Sequence, residues 1–184
     1  MGKASIAALA LTLAVAAGSA VAQDSMAGMP GMSAAPPACA ATDAAPPPLL
    51  AGWATPTPLN AAARPAALSA AALTPGKAFS AALSPTAEVA YAAAPEKAAG
   101  PATYGGLFAL DVDAAGTWRI ALGAAPWIDL LKDGQPVASS AHAHGPACSG
   151  VRKMVDFALT PGRYVVQLSG AADPKLTVMA VRLP

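Results

Sequence analysis

Charge is what this sequence has least of. Among 184 residues, 11 are Lys or Arg, 10 are Asp or Glu and 2 are His. A chain so sparsely and evenly charged has no electrostatic footprint for nucleic acid or anionic lipid, so no nucleic-acid partner is expected. Aromatic residues make up only 5% of the chain, and much of the 55% apolar fraction is alanine, which contributes little burial energy. Also missing are a G-x-S-x-G nucleophile elbow, a C-x-x-C pair, a Gly-rich phosphate loop and any Ser–His–acid arrangement. No catalytic residue is therefore nominated, and the chain reads away from being an enzyme. Beyond Ala22 no stretch of about 18 unbroken apolar residues occurs, so no membrane span is expected once the leader is removed.

That leader is clear from its parts. Lys3 supplies a positive start, residues 6–17 an apolar run short for a bilayer, and Ala20-Val21-Ala22 an A-x-A cleavage site. Residues 1–22 read as a signal peptide, with Gln23 the first residue after cleavage. Loss of Lys3 leaves basic and acidic residues equal in number. The implied address is a bacterial periplasm or the cell exterior. In an oxidising compartment the two cysteines, Cys39 and Cys148, are expected to pair, closing a loop of roughly 100 residues worth up to about 4–5 kcal/mol in the chain-entropy account. The competing reading is two separate thiols, one of them a metal ligand.

Residues 23–72 read as an extended, disordered arm. Met26, Met29 and Met32 recur every third position among small residues and proline, which exclude a stable helix. Exposed thioethers have no packing role there and suit Cu(I). The pattern resembles the methionine motifs of periplasmic copper-handling proteins. The plain alternative is compositional drift in a tail. An Ala/Pro stretch follows, PPII-like where prolines cluster, with Leu49, Leu50 and Trp53 able to anchor it on the surface of a domain.

From residue 73 the texture becomes short alternating segments punctuated by turns, the all-β signature. Strands are expected at 77–83, 88–93, 104–112, 117–122, 127–131, 137–140, 151–159, 164–169 and 176–183. Phe108, Leu110 and Val112 share one face, as do Trp118, Ile120 and Leu122, and Tyr164, Val166 and Leu168. Asp133-Gly134 is a two-residue hairpin turn. Thr-Pro-Gly recurs at 74–76 and 160–162 ahead of a strand each time. About eight strands without helical periodicity predict an antiparallel two-sheet β-sandwich, jelly-roll-like, over residues 73–184. The roughly 110 residues there are enough for one core.

The run GLFALDVDAAGTWRIAL, then WIDLLKDG, then VDFALTPGRYVVQLSG resembles the bacterial pre-peptidase C-terminal domain and its carbohydrate-binding-like sandwich relatives. The likeness spans residues 105–170 at the level of pattern. It implies a small accessory sandwich outside the cytoplasm rather than a catalytic core. The chain departs from it in carrying no protease or hydrolase domain and in its His-x-His loop.

That loop, residues 139–150, concentrates the unusual chemistry: both histidines, Cys148 and, just beyond, the adjacent bases Arg152-Lys153. If it is extended, His142 and His144 point to one side and are spaced to share Zn²⁺ or Cu²⁺. A third ligand is needed, from Asp156, Glu88, Cys148 if free, or a tail methionine. The plain alternative is a polar surface loop. Arg152 and Lys153 fall on opposite faces of a strand and read as separate solvated or paired charges. Trp127 and Asp129 share a face, an arrangement that suits a sugar, although a buried tryptophan is commoner. The chain is also similar to small exported proteins labelled homogentisate 1,2-dioxygenase. That enzyme is a larger cupin protein with two histidines and a glutamate on non-haem iron. Here His142-x-His144 mimics part of a cupin H-x-H, with no glutamate at the expected spacing and no third histidine.

Three readings follow. The first is an exported, non-enzymatic binding or accessory sandwich with the His-x-His loop as its surface, its partner a protein or small ligand. The second is a copper- or zinc-binding protein using His142, His144, Met26, Met29 and Met32. The third is a metal-dependent oxygenase.

Overall fold

Alternating apolar residues need two layers to face each other, and twelve strands among the described residues supply them. The structure is a computed structural model that describes Cys39, residues 45–97 and residues 99–184. The expected signal peptide and the methionines at 26, 29 and 32 lie outside those residues. The strands are β1 (Thr57–Asn60), β2 (Ala72–Leu73), β3 (Ala78–Ala82), β4 (Ser84–Pro85), β5 (Tyr104–Val112) and β6 (Gly116–Leu122). They continue as β7 (Trp127–Lys132), β8 (Gln135–Val137), β9 (Ala141–Ala143), β10 (Lys153–Leu159), β11 (Gly162–Ala171) and β12 (Lys175–Arg182). Sheet 1 runs β1-β3-β12-β6-β10-β9; sheet 2 runs β2-β5-β11-β7-β8, with β4 also on β5.

Eight of these, β3, β5, β6, β7, β8, β10, β11 and β12, form the frame. Counted in chain order among themselves, they lie first-eighth-third-sixth in sheet 1 and second-seventh-fourth-fifth in sheet 2. This is the strand order of a jelly roll, and every pairing within the frame is antiparallel. The four remaining strands are short additions at sheet edges. Two of them break the antiparallel rule: β1 runs parallel to β3, and β2 parallel to β5. Each reaches its partner through a long connection, which parallel pairing requires. Together β2, the lone bridge at Ala62 and β4 cover the outer edge of β5, an edge that would otherwise offer free backbone groups to other chains.

The core lies between the sheets. Phe108, Leu110, Trp118, Ile120, Leu122, Phe157, Val166, Leu168 and Val178 are buried there, each contributing about 1.5–3 kcal/mol of burial energy. At the hairpin between β7 and β8, Asp133 and Gly134 both take positive φ, 52° and 76°, the type I′ geometry for which Asp-Gly is suited.

Two expectations are corrected. The arm expected to stay disordered to residue 72 is ordered over its described residues 45–72. Pro48–Ala54 and Pro65–Ala70 form 3₁₀ turns and Thr57–Asn60 is β1. The reason is outward-facing apolar surface on sheet 1: Ala78, Ala121, Met154, Met179 and Val181 form a second cluster with Val151, Leu50 and Trp53. Leu50 and Trp53 are buried, while Leu49 stays exposed. Residues 88–93, expected as a strand, are instead the end of a 3₁₀ turn and a loop. The alanines there offer neither alternation nor β-branched side chains.

Cys39 and Cys148, 109 positions apart in sequence, form a disulfide with their Cα atoms 5.2 Å apart. The bond fastens the N-terminal segment to the loop that follows the histidines. The reading of two separate thiols is overturned.

Candidate functional site: a cleft at the rim of the sandwich

The site begins with the register of β9 on β10. His142 lies opposite Val155, whose side chain belongs to the inter-sheet core. Directly paired residues share a face, so His142 and, two positions on, His144 stand on the inner side of sheet 1. They remain exposed because β9 is the last strand of its sheet. The chain crosses from β8 in sheet 2 to β9 in sheet 1 here, and the two sheet edges are not closed against each other. Between them lies a cleft of about 560 Å³. Ile128, Leu130 and Val137 form one wall and His142, His144, Val155 and Phe157 the other, with Trp127 and Lys153 also in its lining.

The two imidazoles are not equivalent. The Nδ1 of His144 lies 2.9 Å from the carbonyl oxygen of Arg152. A carbonyl only accepts, so Nδ1–H is the donor, and in the neutral ring Nε2 keeps its lone pair for a ligand. That is the tautomer a metal-binding histidine adopts.

The candidate third ligands do not gather here. Cys148 is in the disulfide. Asp156 accepts two bonds from Arg119, 2.7 and 2.8 Å, on the outer face of sheet 1. This pairing raises the Arg119 guanidinium above its ordinary value. Glu88 sits in the 3₁₀ turn Thr86–Glu88 and is absent from the cleft wall. No group of three His, Cys, Asp or Glu residues able to hold a metal occurs among the described residues.

The sequence points less clearly to the far end of the cleft. Trp127, whose burial looked the commoner outcome, is half-buried at the head of β7, and its indole N–H donates to Asp129 at 2.9 Å. Lys97 and Lys153 both place their ammonium groups over its ring, at 4.3 and 5.2 Å from the centroid. Lys153, read as solvated or paired, is neither: it is half-buried and donates to the carbonyl of Pro126 at 2.7 Å. Burial first, and then the charge of Lys97, hold it below the ordinary lysine value. Arg152 does stay exposed.

One buried side chain organises this end. Gln167 is fully buried on the outer face of sheet 2. Its carbonyl accepts from the backbone N–H groups of Ala92 and Ala93, and its amide donates to the carbonyl of Ala93 and to Asp129. It thereby pins residues 89–97 across the sheet and brings Lys97 to Trp127. The signal in the sequence is a lone amide within Tyr164–Ser169, a strand otherwise apolar up to its last residue.

No protein-family model matches the chain, and no curated protein matches it.

Proposed function

We propose that the protein is an exported, non-enzymatic accessory protein, periplasmic or secreted, whose rim cleft binds a small ligand. The observation that carries this reading is the cleft itself, walled by apolar side chains of both sheets with the His-x-His pair along one lip. Such a concave, largely apolar hollow with a few polar groups is the usual form of a ligand site. Export is supported by the disulfide, a bond that persists in oxidising compartments. The pattern-level likeness to the pre-peptidase C-terminal domain supports an accessory role. The test is binding of the fluorescent probe 1-anilinonaphthalene-8-sulfonate. One equivalent is expected to bind wild type, and Ala138→Trp, which fills the exposed lip, is expected to weaken it strongly. Equal binding by both proteins would place the ligand elsewhere.

A second reading is favoured by one observation, the free Nε2 of His144 beside His142. It favours the lip as part of a copper or zinc site; the methionines at 26, 29 and 32 that the sequence adds to this reading lie outside the described residues. Stoichiometric Cu or Zn binding that is lost in His142→Ala/His144→Ala supports it. Identical titrations of wild type and double variant leave the loop a structural one. For the oxygenase reading the measurement is ring-opening turnover of an aromatic diol with added Fe(II), and none is expected.

A further inference from the structure

Lys97 and Lys153 both place their ammonium groups over the Trp127 ring, yet neither has a carboxylate within ion-pair distance among the described residues, where the ion pairs are Arg119–Asp156 and Arg163–Asp111. Asp129, on the same face of sheet 2 as Trp127, is engaged by Trp127 and Gln167. Glu96, exposed, borders the larger cleft. Like charges brought together without a counter-charge destabilise each other unless an anion is supplied. A second observation points the same way. Ser169, paired across the sheet with Trp127, is 1% exposed, and its hydroxyl has no hydrogen-bond partner. Buried polar groups are ordinarily satisfied, and an orphan calls for a ligand or water. Ser169, Lys97, Lys153 and Trp127 line a common hollow of about 330 Å³, and this hollow shares Ala125, Trp127 and Lys153 with the rim cleft.

We infer that Lys97, Lys153 and the Ser169 hydroxyl form an anion subsite, and that the ligand of the cleft is an amphipathic carboxylate. Its head lies between the two ammonium groups and its apolar body along Leu130, Val155 and Phe157. The identity of the ligand rests on the binding reading above; the anion subsite rests on the lysines and the serine alone. Charge-assisted hydrogen bonds from both lysines give the head its affinity. The apolar walls accept an alkyl or aryl chain without asking for further polar contacts.

The experiment is calorimetric titration of the mature protein with decanoate and with decanol, in wild type, Lys97→Gln and Lys153→Gln, with melting temperatures recorded for all three. Lys97 is exposed on a loop, so its variant is expected to keep the wild-type melting temperature. Decanoate is expected to bind about tenfold or more tighter than decanol, and each substitution to erase most of that preference while leaving decanol unchanged. Equal affinity for the two, in wild type and variants alike, overturns the anion subsite and leaves the apolar cleft standing. Binding of neither overturns the amphipathic ligand and the cleft together. A sulfate titration followed on the Trp127 indole N–H resonance then decides the subsite alone. A shift lost in Lys97→Gln supports it, and no shift in wild type overturns it.

Discussion

Sheet 1 turns Ala78, Ala121, Met154, Met179 and Val181 outward and is covered there by Leu50 and Trp53; sheet 2 turns Trp127, Asp129, Gln167 and Ser169 outward and is crossed by a loop rich in alanine. The first face is closed by apolar burial, which is non-directional and leaves little unsatisfied. The second is closed by hydrogen bonds converging on one glutamine. Directional closure demands that every group find a partner, and here the Ser169 hydroxyl has none, while burial raises the Tyr91 phenol above its ordinary value. Proteins tolerate such departures from internal consistency mainly where a site has to be built. The difference fits the proposal made above, with the first face as scaffold and the second, with the adjoining rim, as the candidate binding region.

Removing the apolar cover is the harshest way to break this contrast. Trp53→Ala deletes the largest side chain of the second cluster and is expected to cost about 3–5 kcal/mol, read as a lower urea midpoint with unchanged slope. A loss under about 1 kcal/mol would mean that the segment is carried by its backbone pairing instead. The disulfide secures the same segment from its other end, since Cys148 and Gly150 share a loop and Gly150 lies against the indole of Trp53. Cys39→Ser/Cys148→Ser is expected to cost about 2–4 kcal/mol. Because both changes act on one clamp, the triple variant should lose less than the sum; strict additivity would separate the two.

On the other face the expected effects are smaller and local. Gln167→Leu keeps the volume but leaves the N–H of Ala92 without a partner and Asp129 with the Trp127 indole alone, at about 1–3 kcal/mol. Amide exchange of residues 89–97 should accelerate selectively, with the inter-sheet core still protected. Uniform acceleration across both sheets would show that Gln167 supports the whole sandwich and would remove the contrast drawn here.

The same division governs how much could be read from the chain alone. Strands with strict alternation announce themselves: Trp118, Ile120 and Leu122 face inward as their spacing requires, and Asp133-Gly134 turns as its φ preferences require. The jelly-roll frame follows from such signals. The short edge strands and the ordering of residues 45–72 do not, because Leu50 and Trp53 stand isolated among alanine and proline and their partners come from four other strands and the loop before β10. Pairing of β1 and β2 is set by the long connections between them and their partners, which no local pattern encodes. At the site, the facing of His142 and His144 is legible from period two. Lys97 is not, since its approach to Trp127 depends on Gln167, seventy positions further along the chain. That approach is long-range and polar, the kind of contact composition hides most completely.

The finest distinction between the faces is electrostatic, and Lys153 reports it. Burial, then the neighbouring Lys97, keeps its folded-state pKa below the ordinary value of 10.5. Below the folded value both folded and unfolded chains hold the proton, and the native state bears the full cost of the charge. Between that value and 10.5 the native state has released the proton and the unfolded chain has not, so stability rises with pH; above 10.5 the gain levels off. Wild type should therefore gain melting temperature on Lys153→Met across this alkaline window, by a small margin because the side chain is only half-buried. Saturating decanoate should shrink that gain, since a bound carboxylate favours the charged lysine and draws its folded value back up. An equal rise in Lys153→Met would assign the titration to other groups, and the face held by Gln167 would then be as settled electrostatically as the one closed by Trp53.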